Sequence, residues 1–108
     1  MRGLQIHFKN VYTTKSHTNV LIIYNISAKH FIGIELIKEK EKNSKYLSSI
    51  DFYYNIENTS EYKYNDFINA LYIKGKPCYI NDKDFGELNK KIQNYYVYQK
   101  KIEKVLTL

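Results

Sequence analysis

The sequence predicts an α+β domain: a four-stranded antiparallel meander over the first 56 residues, followed by two helices packed on one face, in the order ββββα(β)α. Three observations lead there. Apolar residues alternate at a period of two through the first half of the chain, the period changes to a helical one near Thr59 and Ser60, and the segments between strands are short. With 108 residues the chain fits a single small domain, 1–108, and lacks the length for a second lobe with a cleft between them.

Leu4, Ile6 and Phe8 alternate with Gln5, His7 and Lys9, which predicts a first strand over 4–12. Residues 20–26 are apolar on both faces and read as a central strand. Ile32, Ile34 and Leu36 share one side of a third strand over 31–38, which runs into the alternating charges of Lys38-Glu39-Lys40-Glu41-Lys42, a solvated hairpin tip. Ile50, Phe52, Tyr54 and Ile56 share a face of a fourth strand over 46–56.

Beyond it, Tyr64, Phe67, Ile68, Leu71 and Tyr72 recur at i, i+3, i+4, i+7 and i+8, which predicts a helix capped by Ser60 and stopped by Gly75 and Pro77. Cys78-Tyr79-Ile80 reads as a short edge strand. Asp84 with Glu87 three residues on forms a capping box for a last helix over 85–106, about 33 Å long at 1.5 Å per residue, and so longer than the body it packs on.

Composition limits the chemistry. Four glycines leave no room for a dinucleotide or phosphate-binding loop, so no cofactor is expected. A lone cysteine, Cys78, excludes an internal disulfide and a paired-thiol metal site. His7, His17 and His30 have no ligand spacing, and Asp82-Lys83-Asp84 departs from a calcium loop at its glycine and at Gln93, so no metal site is expected. No stretch approaches the ~18 apolar residues of a membrane helix, and the opening residues carry no apolar signal core. A cytoplasmic protein is expected, in the host cell's cytoplasm if the chain is viral. Lys, Ile, Tyr, Asn and Phe, all with A/T-dominated codons, make up more than half of the chain, which points to an AT-rich genome.

Charge and tyrosine carry the functional expectation. The net charge is +6, with Arg2, Lys9, Lys15 and Lys29 unopposed by acids over residues 1–34 and a second basic stretch after Leu88. Of 12 tyrosines, Tyr53, Tyr62, Tyr79, Tyr96 and Tyr98 fall off the apolar stripes. Exposed tyrosines concentrate at binding hot spots. The sequence therefore predicts a non-enzymatic protein that occupies the surface of a protein or ribonucleoprotein partner through Tyr95, Tyr96, Tyr98, Lys100 and Lys101 on the last helix, in the manner of a phage or mobile-element inhibitor of a host nuclease or defence complex. A homodimer through the same helix is a further partner expectation. One alternative is direct, sequence-nonspecific nucleic-acid binding through Lys9, Lys15, Lys29, Lys90, Lys91 and Lys104, since a single arginine leaves little means of reading bases. Another is a small metal-independent ribonuclease or hydrolase centred on His7 beside Glu35 or Asp51.

Overall fold

The computed structural model describes the backbone of residues 3–107 and the side chains of 3–95. It holds one six-stranded antiparallel sheet, a two-stranded sheet and one helix among these residues. The strands are β1 (Val11–Thr14), β2 (Asn19–Asn25), β3 (His30–Ile37), β4 (Lys45–Leu47), β5 (Phe52–Lys63), β6 (Phe67–Ala70), β7 (Tyr72–Ile73) and β8 (Lys76–Pro77), followed by α1 (Asp82–Thr107). A 3-10 turn, Tyr64–Asp66, links β5 to β6. The large sheet has the order β4-β5-β3-β2-β1-β6.

This corrects the expected four strands and two helices. The first strand begins at Val11 because Lys9 has φ 75, a left-handed kink that breaks the extended path. The preceding segment is instead held by Tyr12, whose hydroxyl donates to the Gln5 carbonyl at 3.0 Å and accepts from the His7 amide at 2.8 Å. The expected fourth strand is two: Asp51 at φ 57 turns β4 back onto β5, and Tyr46 packs against Tyr53 with ring centroids 5.0 Å apart. The expected helix over 60–72 is absent. There β5 continues to Lys63, the 3-10 turn follows, and β6 pairs with β1 at the opposite edge.

That crossover shows the sheet's curvature. Lys63 lies opposite His30 at one end of β3, while Phe67 lies opposite Thr14 beside the start of β2. Four residue steps span at most about 14 Å. The seven-residue β2 between those ends is about 20 Å long when extended. The sheet must therefore curl into a partly closed barrel. Phe67 sits within it, with ring centroids 5.9 Å from Tyr12, 6.2 Å from Phe31 and 5.6 Å from Tyr62. Gly33 is required on the same inner face, since a Cβ there would lie 2.4 Å from Val20 Cγ1.

Val20, Leu21, Ile22 and Ile23 are all buried: Val20 and Ile22 point into the barrel, Leu21 and Ile23 to its outer side. There Leu88 and Ile92 of α1 close a second cluster over Ile34, Leu36, Phe52 and Tyr54. Burying each such side chain contributes about 1.5–3 kcal/mol. No helix among the described residues is long and apolar enough to cross a membrane.

Candidate functional site

The β7–β8 hairpin borders an open concave surface. Lys74 and Gly75 form its two-residue loop, with φ 53 and 78; positive φ at both central positions is the type I′ turn that matches strand twist. Tyr72 pairs with Pro77 and Ile73 with Lys76. Cys78 beyond the hairpin donates its amide to the Leu71 carbonyl at 2.9 Å, and both side chains pack into the outer core. That anchors the hairpin and turns alternate residues outward. Tyr72 and Tyr79 are each 60% exposed and Ile73 41% exposed.

Against the hairpin lies an open groove of about 1130 Å³. Ile50, Phe52, Tyr72, Ile73, Cys78 and Tyr79 line it; in the hairpin register Tyr72 shares a face with Pro77 and Tyr79, and Ile73 with Lys76 and Cys78. Lys38, Lys74 and Lys76 also line it, against one acid, Asp51, which accepts a hydrogen bond from the Tyr46 hydroxyl at 2.7 Å. The rings of Tyr72 and Tyr79 make no ring contact among the described residues, whereas the exposed rings of Phe8 and Tyr46 each pack on a neighbour, Phe85 and Tyr53. Burial pushes the Cys78 thiol up to about 11, so it is a packing group at neutral pH rather than a nucleophile.

The residues singled out in the sequence are scattered over the fold. Tyr95 is half-buried on α1, and the side chains of Tyr96, Tyr98, Lys100 and Lys101 lie outside the described residues. Lys9 is ion-paired with Asp82 and lies 5.7 Å from the Phe85 ring centroid, so it is engaged within the molecule. Lys15 and Lys29 each bond to the 3-10 turn through their backbones, the Lys15 amide donating to the Asp66 carbonyl and the Lys29 carbonyl accepting from the Tyr64 amide. Lys90 and Lys91 are exposed on α1, and the side chain of Lys104 lies outside the described residues. His7 is exposed beside the smaller groove formed with Gln5, Asn10 and Tyr72; no hydrogen bond or ion pair joins it to Glu35 or Asp51. No three of His, Cys, Asp and Glu among the described residues gather closely enough to hold a metal ion.

Sequence reasoning marked Tyr79 as off-stripe but missed Tyr72, Lys74 and Lys76. The available signal was Lys74-Gly75 between Tyr72-Ile73 and Lys76-Pro77, a two-residue turn ending in glycine that the helical spacing before it concealed. Comparison with protein-family models, with curated proteins and with solved structures returns no match for this chain.

Proposed function

We propose that the protein is a non-enzymatic binding protein that acts by occupying the surface of a macromolecular partner, with the β7–β8 hairpin and its groove as the contact. The supporting observation is the exposure of Tyr72, Ile73 and Tyr79, three large side chains 41–60% exposed on the hairpin and just beyond it, where Leu71 and Cys78 fix its base in the core. Aromatic anchors on a rigid element give contact area at low entropy cost, and clustered exposed apolar residues mark interaction sites. An inhibitor works in this way, so the compositional expectation of a phage or mobile-element protein agrees with the reading without supporting it independently.

The test is affinity capture from a native lysate, with and without nuclease, using the wild-type chain and a Tyr72→Ser/Tyr79→Ser variant. A defined partner retained by the wild type and lost by the variant, at unchanged thermal stability, is the expected result. Equal capture by both proteins overturns the reading.

A further inference from the structure

We propose that the protein pairs with a second copy of itself along the open edge that runs from β6 into β7, Ala70 and Tyr72 of each copy exchanging backbone hydrogen bonds with the same two residues of the other across a two-fold axis. This goes beyond the hairpin reading and does not depend on it.

β6 stands last in the large sheet, so one of its sides is unpaired. Leu71 shows which. Its amide donates to the Val11 carbonyl at 2.9 Å and its carbonyl accepts from the Cys78 amide at 2.9 Å, so both groups face β1 and the returning chain. Backbone groups alternate in direction along a strand, which turns those of Ala70 and Tyr72 to the opposite side. Tyr72 lies opposite Pro77, which has no N–H to offer it. Among the described residues no hydrogen bond engages the backbone of Ala70 or Tyr72 on the open side, and both residues border the smaller groove, a space of about 880 Å³. The register shift in β6 lies before Asn69, so the stretch that carries these groups is regular.

An open strand edge is a template for another strand, and most edges are blunted by short length, charge or proline. β4, at the other end of the sheet, is three residues long, begins at Lys45 and follows the charged run from Lys38 to Lys42. The β6–β7 edge has no such guard: Phe67-Ile68-Asn69-Ala70-Leu71-Tyr72-Ile73 holds neither charge nor proline in a chain 26% charged, and Ile68 and Tyr72 are 47% and 60% exposed there. Charge selects the occupant. Each copy carries +6, so two copies approach best along a neutral stretch. Antiparallel pairing of Ala70 with Tyr72 and of Tyr72 with Ala70 centres on Leu71 and satisfies two donors and two acceptors on each copy. It also sends the two hairpin loops, with Lys74 and Lys76, in opposite directions, so these lysines do not oppose their counterparts.

Sedimentation equilibrium of the full chain at rising concentration tests this. The mass is expected to climb from the 12.9 kDa of the monomer toward twice that value by about 1 mM. Hydrogen exchange resolved by residue should find the Ala70 and Tyr72 amides unprotected in dilute solution and protected once the dimer forms. Ala70→Pro removes one outward donor per copy at an edge position where proline is tolerated, and is expected to weaken association at least about tenfold. Tyr72→Lys brings a charge to the pairing on each copy and should weaken it as much, while Tyr24→Lys, at a residue 61% exposed on β2, leaves it unchanged. Thermal unfolding of dilute samples identifies a variant that fails to fold, and if Ala70→Pro does so, Tyr72→Lys decides alone. A monomer at every concentration overturns the proposal. So does a dimer that the edge variants leave intact, one that Tyr24→Lys weakens equally, or one in which the Ala70 amide stays unprotected, since another surface then holds it.

Discussion

The hydroxyl of Ser49 stands inside the capping box of α1, donating to Asp84 Oδ2 at 2.6 Å while it accepts from the Asn81 amide at 3.3 Å. In the usual box the third helical residue reaches back to the cap amide directly. Here Asn81 is the cap, its Oδ1 accepting from the Asp84 amide at 2.8 Å, and a serine from the β4–β5 turn completes the return path. The Ser49 amide adds a second bond to the same oxygen at 2.9 Å. The helix start is thereby tied to the sheet edge.

Asp84→Ala removes the buried carboxylate that accepts from both the Ser49 amide and its hydroxyl, and the expected cost is about 1–3 kcal/mol. Ser49→Ala keeps the amide bond and should cost less. Because the two residues share one network, the double variant is expected to lose less than the sum of the singles, as read by urea unfolding of all four proteins.

Gly33→Ala tests the curvature of the barrel. The added methyl would lie 2.4 Å from Val20 Cγ1 and 3.2 Å from both the Leu21 carbonyl and Tyr62 Cδ2. The expected destabilisation is about 1–3 kcal/mol, typical of overpacking, and a companion Val20→Ala change should recover part of it. Denaturant midpoints of the single and double variants check both statements.

These sites show what was legible in the chain. β2 is readable because Val20–Ile23 alternate between two buried faces, and β3 because Ile32, Ile34 and Leu36 share one. The start of the last helix is readable from Asn81 and Asp84, although the cap lies one turn earlier than the Asp84–Glu87 spacing implies, because the distant Ser49 rather than Glu87 supplies the second bond. The segment from Thr59 to Tyr72 misleads. Tyr64, Phe67 and Leu71 do all pack inward, but by different routes: Phe67 enters the barrel from β6, and Leu71 crosses to the outer core where β6 gives way to the hairpin. Both routes depend on pairing with β1, some 55 residues earlier in the chain, and local spacing carries no trace of it. The candidate site shares this fate, since the β7–β8 hairpin begins within the same segment.

The buried thiol gives a pH-dependent prediction. Burial raises Cys78 from an ordinary value of 9.0 to about 11, and it also raises the phenols of Tyr12, Tyr54 and Tyr62. The folded chain holds these protons to higher pH than the unfolded chain, so their contribution is complete below pH 9 and is lost as pH rises through the folded values. Thermal stability should fall between pH 9 and 11, and Cys78→Ala should make that fall shallower. At pH 8 the native thiol should resist iodoacetamide and become reactive only in denaturant.

Phe67→Ala addresses the closure of the barrel. The ring touches Tyr12 on β1 and the cross-strand pair Phe31 of β3 and Tyr62 of β5, which β2 separates from β1 in the sheet. Removing it deletes the apolar contact that holds the crossing of the 3-10 turn in place and leaves a cavity in the inner cluster, at an expected cost of about 3–5 kcal/mol. Phe67→Leu fills most of that volume without the aromatic edges and should cost less. β6 pairs only with β1 within the large sheet, so its amides should exchange with solvent faster in the alanine variant, while those of β3, flanked by β2 and β5, slow exchange relative to β6 and keep their protection. Hydrogen exchange resolved by residue reads this directly, and equal loss of protection across the whole sheet would mean that Phe67 supports the global fold rather than its closure.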